Sequence, residues 1–403
     1  MLFCAVGFVF FDRLAIAFLF PFISDDLGLN NTELGLIMSV LGLTWALSGP
    51  LLGFASNRIG KKTMLVVMIS LFSIMSFLSG IVAGFISLLV FRALMGIAEG
   101  PVLPVAQAVM SLESSESRRG FNMGFIQSTA ASVFGGILAP LIIVNIANAY
   151  GWRFAFYTTI IPGIILVFVI AKWMREPKEK VLTTIADAKD EEKVRIGDVL
   201  KNRNIVFGLI IACANITWYI MIVTFTPTYL MDGRGMTAAG MSLAVVGLGI
   251  GGAIWGFGTP ALSDRIGRKP ATIIFSFISI LSPLAIVYLP ASVALIFIAL
   301  IIVHVGQGII PIYMSIIPAE SVPIKYVAAA VGLLMGVGEV FGGVIMPIVA
   351  GRLADTWTPA APFYIAAVGA AIAGLLAFGL VETAPAVVKK RAGLPEVAEQ
   401  TAV

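Results

Sequence analysis

Apolar runs long enough to cross a membrane recur along the whole chain. Each run covers about 20 residues, which at 1.5 Å per residue spans a hydrocarbon core about 30 Å thick. None shows the two-residue alternation of a barrel strand. Of the 403 residues, 12% are charged, whereas a soluble domain carries about 25%. The sequence therefore predicts an all-α membrane protein with twelve transmembrane helices. The predicted segments are 2–22, 33–55, 63–81, 84–110, 121–147, 153–173, 204–229, 238–262, 271–289, 291–316, 326–350 and 360–382.

The basic residues indicate the topology. Most of the 26 lysines and arginines fall in alternate loops or at the C-terminus, and the first loop on the opposite side, "SDDLGLNNTE", is acidic. By the positive-inside rule, both termini face the cytoplasm. The first segment is not a typical signal peptide, because Asp12 and Arg13 interrupt it and no cleavage site follows. It begins almost at Met1, which is compatible with a natural start further upstream.

The chain contains a repeat with an offset of 207 residues. "NRIGKK" at 57–62 returns as "DRIGRK" at 264–269, and "SVFGGILAP" at 132–140 returns as "EVFGGVIMP" at 339–347. The offset relates two sets of six predicted helices. Because six is even, the two halves share one orientation, as in transporters built from parallel repeats with a site between them.

The loops "GFASNRIGKK" and "PALSDRIGRK" resemble the signature of the major facilitator superfamily, with Asn57 and Pro260 as departures from the usual Asp and Gly. The resemblance covers the whole chain and implies the major facilitator fold. The predicted domains are an N-terminal six-helix bundle at 1–173, a cytoplasmic linker at 174–203, a C-terminal six-helix bundle at 204–384, and a cytoplasmic tail at 385–403.

The N-terminal half carries charges inside its predicted helices that the C-terminal half lacks. Moving Asp12, Arg92 and Glu99 by 207 positions gives uncharged residues, namely Tyr219, Ala299 and Gly306. Charge is therefore not needed to build such a half. An unpaired charge at the bilayer centre costs about 2.5–3.5 kcal/mol on insertion scales, so such residues are functional candidates.

These charges can pair with one another. Arg92 and Glu99 are two turns apart on one helix face, while Asp12 and Arg13 point about 100° apart. Two acids and two bases sum to zero, so a mutually paired cluster is the cheapest way to keep them in lipid. A static staple between the first and fourth helices is one interpretation. The other is a titrating cluster, because burial favours a protonated carboxyl and a nearby guanidinium opposes this.

The Asp12-Arg13 pair and the pattern R-x6-E-G-x3-P, from Arg92 to Pro104, resemble the anion:cation symporter family, which includes sugar-acid permeases and sialin-like carriers. "GWRFAFY" at 151–157 is similar too. The resemblance implies that Asp12 and Glu99 carry protons, that Arg92 modulates them, and that Arg13 binds a substrate carboxylate. Trp45 stands where sugar-acid carriers often have Tyr, which favours an aromatic or less polar acid. Spinster-like lipid carriers share a similar charge set.

Further polar residues lie at membrane depth. Gln127 is at a position where the family has a substrate-facing Gln, and Tyr219 is the repeat position of Asp12, so both join Arg13 and Trp45 as predicted substrate-binding residues. His304, Gln307 and Glu339 form a possible second polar site, in which a pair between His304 and Glu339 would be sensitive to pH. The alternative for each is helix packing or an interhelical hydrogen bond worth about 0.6 kcal/mol.

The sequence contains no phosphate-binding G-x4-G-K-[ST] loop and no His/Cys cluster, and Cys4 and Cys213 lie in different predicted helices. We therefore expect no enzyme activity, cofactor, metal site or nucleic-acid partner. The resemblance implies a monomeric, proton-coupled symporter of the cell inner membrane that imports a small organic anion, such as a sugar acid or an aromatic acid, by alternating access. A Spinster-like carrier of lipids or amphiphiles and a proton-antiporting drug exporter remain alternatives.

Overall fold

The structure is a computed structural model that describes residues 1–115, 122, 125–177 and 196–391. Within these ranges, eleven helices are long and apolar enough to cross a membrane, and a twelfth apolar helix has 17 residues. The all-α prediction with twelve apolar helices is confirmed. The helices are α1 Leu2–Leu27, α2 Asn31–Ile59, α3 Lys61–Leu78, α4 Phe85–Glu113, α5 Phe125–Tyr150, α6 Trp152–Trp173, α7 Arg203–Gly233, α8 Ala238–Ile266, α9 Arg268–Tyr288, α10 Val293–Ser321, α11 Ala329–Thr356 and α12 Ala361–Ala377.

The domain boundaries remain a prediction. Most of the predicted linker 174–203 lies outside the described residues, as does the predicted tail after a short helix at Pro385–Arg391. Helix α1 is longer than its apolar run, because it continues through Asp25 and Asp26 and ends only where Gly28 adopts left-handed backbone with φ 65°. Polar residues thus extend the helix past the hydrophobic segment that reveals it in the sequence.

The repeated loop folds in the same way in both halves. Gly60 and Gly267 have φ values of 97° and 107° and turn α2 into α3 and α8 into α9. In each half, a glutamate after the sixth helix accepts hydrogen bonds from the first two amides of the third helix. These acceptors are Glu176 and Glu382, and a negative charge at a helix N-terminus is favourable.

The two copies of the loop differ in charge. In the second copy, Arg268 Nη2 lies 2.6 Å from Asp264 Oδ1 and 3.0 Å from Glu320 Oε1. At the equivalent place in the first copy, Lys61 Nζ donates to the neutral amide oxygen of Asn57 over 3.4 Å. The contact of Lys61 with Asn57 is therefore longer than that of Arg268 with Asp264, and its acceptor is neutral.

The fourth helix of each half is interrupted, and the two interruptions overlap in the repeat. Helix α4 consists of Phe85–Glu99 and Val102–Glu113, separated at Gly100 and Pro101. Helix α10 is regular over Val293–Val303 and then tightens into a 3₁₀ turn. Such interruptions in the hydrogen-bond ladder often mark functional sites or hinges. Glu99, the last residue of the first segment of α4, lies directly at the break.

Helices α5 and α11 also share a local feature. Each contains a π-helical segment, Ala131–Leu138 in α5 and Glu339–Ile345 in α11. The two segments fall on the repeated sequence "VFGG", so the departure from regular α-helix is a property of both halves. Ser132 and Glu339 occupy the same repeat position at the start of these segments.

The two halves contact each other over one side of the molecule and at its centre. Ser39 of α2 donates to the carbonyl of Val344 over 2.6 Å, and Ser242 of α8 donates to the carbonyl of Pro140 over 2.8 Å. Among described residues, the hydrogen bonds that join the halves occupy one part of the molecule. This part extends from the middle of the helices to the face where α2 and α8 begin. This face is closed.

Asp355 at the end of α11 holds the beginning of α2. Its carboxylate accepts hydrogen bonds from the backbone amides of Asn31 and Thr32 at 3.0 and 2.7 Å, and from their side chains at 2.8 and 2.6 Å. The third amide of α2 is capped within the same half, by Asn30. The end of one half therefore supplies the helix cap of the other.

We expect Asp355→Ala to shift the protein toward a state in which this face is open, because the substitution removes an acceptor of four cross-half hydrogen bonds. Loss of a helix cap costs about 0.5–2 kcal/mol, which is enough to change a two-state population several-fold. Spin labels at Asp25 and Trp357, in a variant with both cysteines replaced, should report a longer distance. Arg352→Ala, one turn earlier on α11 and also exposed, is the matched control. An unchanged distance distribution in Asp355→Ala would contradict this role.

Candidate functional site

Asp12 lies at the end of a buried chain of hydroxyl groups. Thr159 Oγ1 of α6 donates to Ser76 Oγ over 2.8 Å, and Ser76 Oγ of α3 donates to Asp12 Oδ1 over 2.8 Å. The other carboxylate oxygen of Asp12 is buried without a hydrogen-bond partner. Asp12 is 0% exposed, so α1, α3 and α6 together enclose this acid.

Arg92 of α4 reaches the backbone of α1 instead of a carboxylate. Its Nη1 donates to the carbonyl oxygen of Asp12 over 3.4 Å, and its guanidinium lies 5.1 Å from the ring centre of Phe156. The Nε and Nη2 atoms are buried and have no hydrogen-bond partner. A fully buried guanidinium with free donors is unusual, because buried polar groups are almost always paired.

Among the described charged side chains of this region, Glu99 is the one without any hydrogen-bond partner. It is 0% exposed, and both of its carboxylate oxygens are buried without a hydrogen-bond partner. The charges of Asp12, Arg13 and Arg92 are close enough to act on it. Burying a carboxylate without partners is costly when it is ionised. The site is therefore suited to a carboxyl group that changes its protonation state.

The mutually paired cluster expected from the sequence is not what the structure has. No ion pair within 4.0 Å joins Asp12, Arg13, Arg92 and Glu99, all of which the structure describes. The roughly 100° between consecutive helical residues separates Arg13 from Asp12, and the guanidinium of Arg13 pairs with Glu339 instead. The static staple between α1 and α4 is accordingly absent as an ion pair.

Arg13 instead connects the two halves. Its Nη2 lies 2.7 Å from Glu339 Oε1 of α11, and the two side chains are 11% and 14% exposed. The guanidinium also stacks on Trp45 of α2, with 4.9 Å between its central carbon and the ring centre. Arg13 thus lies between three helices at the interface of the halves, where a cation can meet a ligand.

The other two predicted substrate-binding residues lie on opposite sides of the interface. Gln127 of α5 accepts a hydrogen bond from Gln107 of α4 over 3.0 Å. Tyr219 of α7 is half-buried and near the charges of Arg13 and Glu339. Sequence reasoning missed Gln107, which has no distinguishing pattern around it.

A small cavity lies between the halves. It encloses about 30 Å³, and its polar lining consists of Tyr219, His304, Gln307 and Ser132, with apolar residues of α1, α5, α7 and α8 around them. Ser132 Oγ is buried without a partner. This volume is large enough to hold a water molecule. The sequence analysis did not predict Ser132 as a site residue. The available signal was its position in the repeat, which is that of Glu339.

The pair between His304 and Glu339 considered from the sequence is not formed. His304 ends the regular part of α10, and its ring stacks on Trp218 at 4.9 Å and lies 3.3 Å from Ser282 Oγ. Glu339 is paired with Arg13 instead. The break in α10 directs the ring toward α7 and α9, so His304 and Gln307 belong to the cavity wall and Glu339 to the Arg13 pair.

A sequence profile of the Major Facilitator Superfamily matches residues 2–340 and 261–401. The hexuronate transporter of Bacillus subtilis (strain 168) is 29% identical over 282 residues, which are 67% of this chain and 64% of the relative's length. The probable 4-methylmuconolactone transporter of Cupriavidus pinatubonensis (strain JMP 134 / LMG 1197) is 27% identical over 348 residues, 82% of this chain and 78% of that protein.

Solved structures show the same fold. A bacterial homolog of the human lysosomal transporter Spinster, in an inward-facing and unoccupied conformation, superposes with a TM-score of 0.73 at 18% identity, covering 94% of this chain and 96% of the other. Within the described residues, no group of three or more His, Cys, Asp or Glu side chains could hold a metal ion. The twelve apolar helices, the two similar halves and the profile match together show that the chain belongs to the Major Facilitator Superfamily of membrane transporters.

Proposed function

We propose that the protein is a proton-coupled symporter that brings a small organic anion into the cell by alternating access. The observation that carries the proposal is Glu99, a fully buried carboxyl group with two unpartnered oxygens, within reach of the charges of Arg13 and Arg92. Such a group is stable when protonated and must find a cation when it is not. The relatives named for hexuronate and 4-methylmuconolactone support an organic acid as the class of substrate.

The residues take separate roles in this proposal. Asp12 and Glu99 carry protons, and Arg92 modulates them. Arg13 binds the substrate carboxylate from its position on Trp45, while Gln127 and Tyr219 contact the rest of the substrate. A planar guanidinium stacked on an aromatic ring is held in one orientation, which suits a planar carboxylate.

The proposed topology identifies the side of the membrane on which the described state is closed. With both termini in the cytoplasm of a bacterial cell, the face where α2 begins is the outer face of the inner membrane. The contacts of Asp355 and Ser242 then close the outer side, and the described state has its site closed to the outside. Opening this face exposes Arg13 to an external anion. Protonation of Asp12 and Glu99 then favours the return to the state that is closed to the outside.

We expect uptake to be electroneutral or to move net positive charge inward. With Asp12 and Glu99 protonated and neutral, Arg13 and Arg92 exceed the carboxylate of Glu339 by one positive charge, because a guanidinium stays protonated in proteins. One proton per monovalent anion carries no net charge, whereas two protons make uptake sensitive to membrane potential, at about 2.3 kcal/mol per charge per 100 mV. Currents on solid-supported membranes, recorded with D-glucuronate and benzoate under a pH gradient, test this. Transport of a permanent cation without response to any carboxylate would favour a drug exporter.

A further inference from the structure

Glu339 fills the place in front of Arg13 that the substrate carboxylate needs in the proposed function. Its Oε1 lies 2.7 Å from Arg13 Nη2. A glycine leaves room for this carboxylate, since a methyl group at Gly343 would lie 2.8 Å from Oε1, which is closer than carbon and oxygen atoms pack. The protein thus has a built pocket for one carboxylate on Arg13, and its own glutamate occupies it.

The acid at this position is not required by the fold. Ser132 stands at the same repeat position in α5, and the π-helical segment forms there as well. A carboxylate at membrane depth is costly unless it is paired. Its presence in one half only, directly on the cation of the other half, therefore indicates a role in the transport cycle.

Two carboxylates cannot both be matched by Arg13. Arg13 carries a single positive charge, and its surroundings are largely buried. A second anion near a single cation leaves an excess negative charge where the effective dielectric constant is low. Binding of a substrate carboxylate and the pair with Glu339 thus compete for the same cation.

We propose that Glu339 is a specificity-determining residue that acts as an internal competitor of the substrate at Arg13, so that anion binding releases the ion pair between α1 and α11. This inference rests on the proposed role of Arg13 as the anion-binding residue. Between described residues, this is the ion pair within 4.0 Å that joins the two halves. Exchange of Glu339 for a substrate carboxylate converts a contact between halves into a contact of the N-terminal half with the substrate. Weakly charged or neutral ligands cannot displace Glu339, which selects for anions.

Calorimetric titration of the purified protein with D-glucuronate and with benzoate tests the competition. We expect Glu339→Gln to bind the acid recognised by the wild type about tenfold more tightly, which corresponds to about 1.4 kcal/mol, because the neutral amide no longer balances Arg13. Glu382→Gln, the same acid-to-amide change in the loop before the C-terminus, should leave the affinity unchanged. Glu339→Asp keeps the charge on a shorter side chain and should give a smaller gain, and it serves if Glu339→Gln does not fold.

The outcomes separate this inference from the proposed function. If the wild type binds an acid, Arg13→Gln abolishes the binding, and Glu339→Gln has unchanged or weaker affinity, the competition is refuted while the anion site stands. If neither acid binds to the wild type or to any variant, both the anion site and the competition fail. Spin labels at Asp25 and Trp357 provide a second readout: bound anion should shift the distance in the wild type, and Glu339→Gln should show part of that shift without ligand. A distance in Glu339→Gln identical to that of the wild type would count against release of the pair.

Discussion

Glu99→Gln is expected to abolish uptake driven by a proton gradient while exchange of substrate across the membrane continues. The amide has the shape of the protonated carboxyl but cannot release a proton. Because both oxygens of Glu99 are buried without partners, the change removes an unpaired acid and should not lower the melting temperature. Proteoliposomes allow both activities to be measured on one preparation.

The control for Glu99→Gln is Glu33→Gln, an acid-to-amide change in the capping box of α2, which should retain driven uptake. Glu99→Asp keeps an ionisable group and should retain part of the coupling. Full accumulation against a gradient by Glu99→Gln would remove Glu99 from the coupling role and leave Asp12 as the proton carrier.

Arg13→Lys is expected to weaken anion binding by about 10- to 100-fold, although the charge is kept. An ammonium group cannot form two parallel hydrogen bonds to a carboxylate, and it does not stack on Trp45 as a plane. This corresponds to about 1.4–2.7 kcal/mol of binding free energy, measured by calorimetric titration with the acid that the wild type binds.

Arg153 offers a matched control for this substitution. It also stacks on a tryptophan, Trp152, at 4.2 Å, and it pairs with Asp26 at the end of α1. Arg153 lies at the beginning of α6, away from the site. Arg153→Lys should leave anion affinity unchanged. Equal affinity in wild type and Arg13→Lys would show that Arg13 serves only to hold Glu339.

The sequence was sufficient for the helices, the repeat and the set of buried charges, since each depends on local composition or on comparison of the halves. It could not predict the partner of Arg13. Glu339 is 326 positions away, and the contact depends on how α1 meets α11. The break of α10 at His304 was missed for a related reason, because the surrounding run is apolar enough for one membrane helix and its glycines equally suit helix packing. The hydroxyl chain through Ser76 and Thr159 has no sequence signal, since serine and threonine are common in membrane helices.

The break at Gly100 and Pro101 divides α4 into two helical segments joined by a hinge. The segment Phe85–Glu99 carries Arg92 and Glu99, whereas Val102–Glu113 leads to the loop between the fourth and fifth helices. A helix with an interrupted hydrogen-bond ladder bends there at small cost. The segment Val102–Glu113 can therefore move without displacing Phe85–Glu99. The 3₁₀ turn of α10 is a similar hinge in the C-terminal half. A gating movement at the end of α4 can therefore bend the helix directly after Glu99.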